Sequence, residues 1–158
     1  VKDRNGHIFR LGWGGKIYPL IDASIDDFDH LLSQDKGTIH AFEKEYYWNN
    51  WADLLQANKA ENVLATYTDQ FYAGKNAVVR NKLGKGTVTY IGVDTDEGQL
   101  EKDVLMLLSK STLVDEDTVI IVEASLKTGF EYLEELGFTL DKCKKYKTNL
   151  HAFISRKE

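Results

Sequence analysis

Three carboxylates are best placed by sequence to do acid–base chemistry. Asp94 and Asp96 follow the predicted strand Thr87–Val93, and Glu123 follows the predicted strand Thr118–Val122. In open α/β sheets, ligands bind beyond the carboxyl ends of the strands. Paired carboxylates at such an edge can act as general acid and general base. We therefore take Asp94, Asp96 and Glu123 as candidates for a ligand-binding edge.

The other motifs that could carry chemistry are incomplete. Gly12-Trp13-Gly14-Gly15 lacks the third glycine of a dinucleotide loop, and Pro19 follows it closely. The four aspartates between Asp22 and Asp29 lack the central glycine and distal glutamate of a calcium loop. The histidines do not recur at metal-binding spacing. We expect a turn, a solvated acidic face, no cofactor or metal, and no complete active site.

The charge distribution argues against nucleic acid as a partner. The 158 residues carry a net charge of −5, which disfavours non-specific attraction to phosphates. The segment Lys142–Lys157 is rich in lysine and includes Tyr146 and Phe153, a combination that can bind an RNA backbone. The same lysines would also protect an exposed sheet edge from aggregation, and we favour that interpretation.

Cysteine content and hydropathy indicate a cytoplasmic protein without a membrane anchor. Cys143 is the only cysteine, so no intramolecular disulfide can form. The apolar runs are too short to cross a bilayer, and the polar start Val1–Arg4 does not resemble a signal peptide. Because the chain begins at Val1 rather than Met, we expect it to continue a longer gene product or to follow a removed tag.

Local patterns predict both helices and strands. Trp51, Leu54 and Leu55 at helical spacing predict a helix over Trp48–Asn58. Amphipathic spacing predicts another over Gly98–Lys110, and Gly137 would end a third over Lys127–Leu136. The predicted strands are His7–Leu11, Thr38–Phe42, Glu61–Asp69, a hairpin of Asn76–Asn81 and Thr87–Asp94, the doubly buried Thr118–Val122, and a hairpin of Phe138–Lys147 and Leu150–Ser155.

These elements add up to a predicted α/β fold. We expect residues 1–158 to form one domain, a three-layer flavodoxin-like or Rossmann-like mixed sheet with helices on both faces and a C-terminal antiparallel hairpin. The expected core consists of Val63, Ala65, Val79, Val88, Tyr90, Ile91, Leu105, Leu108, Ile120, Ile121, Leu133 and Phe153.

A set of motifs in residues 63–96 resembles a known family. Phe71-Tyr72-Ala73-Gly74 precedes the strand Ala77-Val78-Val79-Arg80-Asn81, the turn Gly84-Lys85-Gly86, and a return strand with Tyr90. With the looser match of Gly12–Gly15 and Ile25–Asp29, residues 1–98 resemble the middle, trimerisation domain of family 42 β-galactosidases. The resemblance implies a flavodoxin-like or glutamine-amidotransferase-like domain without catalysis of its own, because the family's catalytic glutamates lie in a separate TIM barrel.

The second part of the chain resembles another family. The segments Leu100–Leu105, Leu113–Glu123, Tyr132–Phe138 and Lys145–Phe153 are similar to the C-terminal third of small-subunit rRNA guanine-N2 methyltransferases. The glycine loop for S-adenosylmethionine and the Asp-Pro-Pro-Tyr motif of that family are absent, and Asp94-Thr95-Asp96-Glu97 stands where that motif would be.

The two resemblances leave three functions open. We favour a non-catalytic assembly domain, either a fragment or a chimera that joins a part over residues 1–98 to a part over residues 99–158. The alternatives are a piece of a β-galactosidase without its barrel, or a methyltransferase-like domain without its cofactor loop. We expect a homo-oligomer, and a trimer if the galactosidase assembly surface is intact.

Overall fold

The chain folds into two compact units, Val1–Glu97 (unit 1) and Gly98–Glu158 (unit 2). The structure is a computed structural model, and it describes residues 15–32, 34–112, 114–147 and 149–157. The predicted strand His7–Leu11 lies outside these residues.

Unit 1 consists mainly of β-strands. A short helix, α1 (Tyr18–Ile21), precedes the first strand, and 3₁₀ turns cover Gly15–Ile17 and Ala60–Asn62. The strands are β1 (Ala23–Asp29), β2 (Gly37–Ala41), β3 (Lys44–Ala57), β4 (Val63–Tyr67), β5 (Asn76–Leu83), β6 (Gly86–Ile91) and β7 (Val93–Thr95).

The strand pairings of unit 1 close into an antiparallel β-barrel. Strand β3 pairs with β2, β2 with β4, and β4 with β5. The circuit closes because β5 also pairs with β3, where Leu55 lies opposite Asn76. Strands β1 and β7 add to β3, and β6 adds to β5. Strands β1 and β6 lie outside this closed circuit, and each has one partner strand among the described residues.

One apolar cluster joins the two flanking strands of unit 1. Ile21 of α1, Ile25 of β1, Leu55 of β3 and Val79 of β5 are buried together, and Tyr90 of β6 packs against them. Burial of each aliphatic side chain contributes about 1.5–3 kcal/mol. The cluster therefore fixes β1 and the β5–β6 hairpin in one rigid arrangement.

Unit 2 is a three-stranded antiparallel sheet with one helix. Helix α2 (Gln99–Ser109) is followed by β8 (Ile120–Ser125), a 3₁₀ turn (Glu131–Leu133), β9 (Phe138–Lys145) and β10 (Asn149–Arg156), and the strand order is β8-β10-β9. Its core contains Leu105, Val114, Leu133, Phe138, Leu150, Ala152 and Ile154.

The predicted three-layer α/β fold is wrong. All strand pairings between the described residues are antiparallel, whereas a flavodoxin-like or Rossmann-like sheet is mainly parallel. The described α-helices are α1 and α2, too few to cover both faces of a sheet. The β-branched run Thr118–Val122 is misleading, because such a run is typical of a buried parallel strand. Strand β8 instead lies at a sheet edge, and Ile121 is 60% exposed.

Two predicted helices are also absent. Residues 48–57 belong to β3, and both Leu54 and Leu55 are buried. Neighbouring residues of a strand point to opposite faces, so burial on both faces produces apolar spacing that resembles a helix. In Lys127–Leu136, only the 3₁₀ turn Glu131–Leu133 forms.

Other local predictions are confirmed. Helix α2, the strands β2 and β4, and both hairpins form within a few residues of the predicted bounds. Gly84 has φ +61° at the turn between β5 and β6. Gly137 has φ +78° just before β9, but it ends no helix, because the predicted helix does not form. Among the predicted core residues, Ala65, Val79, Leu105 and Leu133 are buried, and Ile121 is not. The remaining seven are partly buried: Val63, Val88, Tyr90, Ile91, Leu108, Ile120 and Phe153.

The contact between Gly37 of β2 and Trp48 of β3 gives a stability prediction. The two residues are paired, Trp48 is fully buried, and a Cβ on Gly37 would overlap the indole ring. We expect Gly37→Ala to lower the free energy of unfolding by about 1–3 kcal/mol in urea titrations. In the control Gly86→Ala, the new Cβ would lie 3.9 Å from its nearest neighbour, the Leu83 carbonyl oxygen. Equal losses in the two variants would contradict this packing.

Candidate functional site

Asp94 and Asp96 hold local polar contacts beside strand β3. Val93 and Thr95 of β7 are buried, and Asp94 between them is exposed. Asn50 Nδ2 donates to Asp94 Oδ2 over 3.4 Å, and Asn49 Nδ2 donates to Asp96 Oδ1 over 3.4 Å. Lys36 forms an ion pair with Asp96, and this contact raises the pKa of Lys36 above its ordinary value.

Glu123 lies in the other unit. It projects from β8, where it accepts a hydrogen bond from Asn149 Nδ2 and lies 3.4 Å from His151 Nε2. The parallel-sheet edge from which a shared site was inferred does not exist in this antiparallel fold. A ligand role for Asp94, Asp96 and Glu123 stays a prediction without that geometric basis.

An exposed aromatic pair marks the surface of strands β1 and β3. Phe28 and Trp51 stack with ring centroids 4.7 Å apart and an interplanar angle of 10°. They are 37% and 43% exposed, respectively. Asn50 has φ +66°, and the pairing of β3 with β7 is interrupted between Trp48 and Ala52. Asparagine tolerates this left-handed conformation better than most residues, so the bulge has a local cause in the sequence.

Asp53 forms hydrogen bonds to four residues near the Phe28–Trp51 pair. Its carboxylate accepts from Trp51 Nε1 at 2.9 Å and from Tyr90 Oη at 2.6 Å. Its backbone N–H donates to the Gly92 carbonyl, and its backbone carbonyl accepts from Tyr67 Oη at 3.0 Å. These contacts hold β3 against β6 and leave Asp53 in a structural role.

A second aromatic group surrounds Asp29. Tyr72 Oη donates to Asp29 Oδ2 at 2.7 Å, and the rings of Tyr67 and Tyr72 meet edge to face with centroids 5.1 Å apart. Both tyrosines are almost completely buried. Burial raises the pKa of each phenol above its ordinary value, and the neighbouring Asp29 carboxylate raises that of Tyr72 further.

The sequence patterns did not identify this surface as a site, although the sequence contains signals for it. Phe28 and Asp29 belong to an acidic segment, and Trp51 and Asp53 fall within the wrongly predicted helix. The useful signal is the pair Asn49-Asn50 between Trp48 and Trp51, since adjacent asparagines favour a break in regular backbone geometry. Tyr72 belongs to the Phe-Tyr-Ala-Gly motif that supports the family resemblance.

The described residues contain neither a metal-binding group nor a membrane-spanning helix. Within these ranges, no three His, Cys, Asp or Glu side chains gather in a group that could hold a metal ion. Neither α1 nor α2, the α-helices described here, is long and apolar enough to cross a bilayer. An open depression in unit 2 is lined partly by Asp141 and Arg156. Arg156 donates to the Val114 and Ser109 carbonyls, which assigns it to the packing of that unit.

Removal of the Asp53 carboxylate tests its structural role. We expect Asp53→Ala to lower the free energy of unfolding by about 1–3 kcal/mol, because Trp51 Nε1 and Tyr90 Oη lose their acceptor. Asp94→Ala is the matched control, since Asp94 is exposed and its single described contact is long. It should change stability by no more than about 0.5 kcal/mol. Equal losses in urea titrations would contradict the assignment.

The buried phenols predict loss of stability at alkaline pH. A raised folded-state pKa means that the native protein keeps the phenolic proton longer than the unfolded chain. Stability is therefore complete below the ordinary tyrosine pKa of about 10 and falls as pH rises above it. Tyr72→Phe should lose less stability than the unmodified chain as the pH rises above about 10. Tyr47→Phe, at a residue that is 54% exposed, is the control. Equal pH slopes for all three proteins would contradict this account.

Comparison with known proteins identifies relatives of the chain. The β-galactosidase trimerisation domain family matches residues 1–117. The β-galactosidase BgaB of Geobacillus sp. is 28% identical over 110 residues, which cover 70% of this chain and 16% of that protein. The β-galactosidase Pbg of Clostridium perfringens is 32% identical over 120 residues, which cover 72% of this chain and 17% of that protein. The chain thus spans only about a sixth of the length of these relatives.

A solved structure shares the fold. A catalytic mutant of Gan42B, a GH42 β-galactosidase from G. stearothermophilus, superposes with a TM-score of 0.65 at 20% identity. The superposition covers 98% of this chain and 20% of that one. The fold likeness agrees with the family match over most of the sequence, and the chain belongs to the β-galactosidase trimerisation domain family.

Proposed function

We propose that this chain is a non-catalytic assembly domain of a β-galactosidase, and that it holds copies of the enzyme together as a trimer. The observation that carries the proposal is the family match over residues 1–117. The relatives are β-galactosidases several times longer than this chain. We place the catalytic residues of such an enzyme in the part of it that this chain does not cover.

The contacts of the carboxylates in unit 1 support a non-catalytic role. Most glycoside hydrolysis uses two carboxyl groups that flank one bond, one as acid and the other as base or nucleophile. Asp53 accepts hydrogen bonds from Trp51 and Tyr90, Asp29 accepts one from Tyr72, and Asp96 pairs with Lys36. These carboxylates stabilise the barrel and its surface rather than forming a free pair.

The exposed aromatic side chains of unit 1 support assembly. Phe71 is 88% exposed, and the stacked Phe28 and Trp51 are more than one-third exposed. Aromatic residues are enriched in protein interfaces, because they bury a large area and lose little conformational entropy. The resemblance of residues 100–156 to rRNA methyltransferases stays a prediction that binding of S-adenosylmethionine would test. The chimera hypothesis stays a prediction that an intact gene sequence continuing upstream into a TIM barrel would contradict.

The solution mass of the 158-residue chain tests the proposal. We expect light scattering coupled to size-exclusion chromatography to give three times the chain mass of 18.0 kDa. The measurement should be repeated over a dilution series, because a specific trimer dissociates to a monomer at a defined concentration. A monomer at every concentration, or a mass that rises without limit, would contradict trimer assembly. Hydrolysis of a nitrophenyl galactoside by the purified chain would contradict the non-catalytic role.

A further inference from the structure

Strand β1 carries an acidic and partly apolar surface. The segment Asp22–Asp29 contains four aspartates and no basic residue, and Asp26, Asp27 and Phe28 are exposed. Lys59 lies 3.4 Å from Asp22 and Lys75 lies 3.5 Å from Asp26, whereas Asp27 has no ion pair among the described residues. Phe28 stacks on Trp51, so the charges border an apolar patch. We call β1 with Trp51 the acidic surface.

The β5–β6 hairpin carries the opposite charge. Between residues 76 and 91 there are three basic residues, Arg80, Lys82 and Lys85, and no acidic residue. Lys82, Leu83 and Lys85 are exposed around the hairpin turn. None of the three basic side chains forms an ion pair within the part of the chain that the structure describes. We call this hairpin the basic surface.

Arg80 shows that the basic surface lacks a counter-charge. Its Nε donates to Thr89 Oγ1 at 3.0 Å, while Nη2 is buried without a hydrogen-bond partner among the described residues. Burial lowers the pKa of Arg80 below its ordinary value, and no carboxylate contributes to that shift. Arg80 and Lys82 alternate along β5 and lie on the same face of the hairpin. An anion on another copy could reach the exposed Lys82, whereas the buried Nη2 of Arg80 lies out of its reach.

A ring of three copies needs two different surfaces on each copy. In a closed ring, one surface of each copy meets another surface of the next copy, in a heterologous contact. The acidic and basic surfaces of unit 1 are opposite in charge, and each includes an exposed apolar side chain, Phe28 or Leu83. The acidic surface lies on β1, whereas Arg80 and Lys82 lie on β5 and Lys85 lies in the turn that leads to β6.

We propose that copies of this chain associate head to tail, with the acidic surface of one copy on the basic surface of the next. This proposal rests on the trimer assembly proposed above, and it assigns the partner as a second copy of the same chain. Complementary charge sets the choice of partner and the register, and the apolar residues Phe28, Trp51 and Leu83 supply buried area. Both surfaces belong to unit 1.

Charge reversal tests this contact. The acidic surface is reversed in Asp26→Lys with Asp27→Lys, and the basic surface in Lys82→Glu with Lys85→Glu. Each double variant should raise the concentration at which half of the trimer dissociates by about tenfold or more, because attraction becomes repulsion. Sodium chloride near 1 M should also weaken the unmodified trimer, since it screens charges beyond about 3 Å.

A variant with all four reversals separates the contact from a loss of folding. Its two surfaces are again opposite in charge, so the trimer should return to within about threefold of the original stability, given the usual limits of additivity. The matched controls carry the same charge changes on exposed residues of unit 2: Glu116→Lys with Asp117→Lys, and Lys142→Glu with Lys144→Glu. These controls should remain trimeric.

The outcomes distinguish this proposal from the one on which it rests. If the unmodified chain is a monomer, the proposal of trimer assembly is wrong, and the proposed contact is wrong with it. If the unmodified chain is a trimer and the two reversed variants keep its stability, assembly holds and this contact is wrong. The contact is also wrong if the four-charge variant does not recover, or if the unit 2 controls dissociate equally. In those cases the surfaces face another partner, such as a different segment of the longer enzyme.

Discussion

The structure of unit 1 depends on one long strand that pairs with four others. Strand β3 pairs with β2 through residues 44–48, with β7 at Trp48 and Ala52, with β1 through residues 52–57, and with β5 at Leu55. A straight strand has only two edges, so four partners must divide its length between them. The bulge at Asn49 and Asn50 makes this division possible, because a bulge bends the strand and increases its twist.

The same bulge shapes the surface to which we assign assembly. It brings Trp51 against Phe28, and Asp53 then links Trp51 to Tyr90 of β6. The acidic and basic surfaces are therefore connected by a hydrogen-bonded carboxylate. They are also connected by the buried cluster that contains Leu55 and Val79. A closed ring requires a fixed angle between its two contact surfaces, because a variable angle would give open chains or mixed ring sizes. The rigidity of this connection is thus a structural condition for a defined trimer.

The sequence predicted short-range structure better than topology. The β5–β6 hairpin could be predicted because Gly84 supplies a positive φ between two alternating runs, and α2 because Leu100, Val104 and Leu105 mark one face. The β3 prediction failed because Leu54 and Leu55 are buried on opposite faces, which hides the alternation of a strand. Parallel pairing was inferred from the apolar run before Glu123, yet β8 is an antiparallel edge strand, and strand order is not encoded in local spacing. Family motifs led to the trimerisation domain, although the fold expected with them was wrong. The Asp53 contacts could not have been predicted, since they join Asp53 to Tyr90 and Gly92, which are 37 and 39 positions further along the chain.

The most direct test is hydrogen–deuterium exchange of the chain at concentrations above and below trimer dissociation. The account predicts that backbone amides of β1 and of the β5–β6 hairpin exchange faster after dissociation, because both surfaces then face water. Amides of β4, which lies within the barrel, and of β10, the central strand of unit 2, should exchange equally in both states. Faster exchange confined to unit 2, or no difference between the two concentrations, would contradict assembly through these two surfaces.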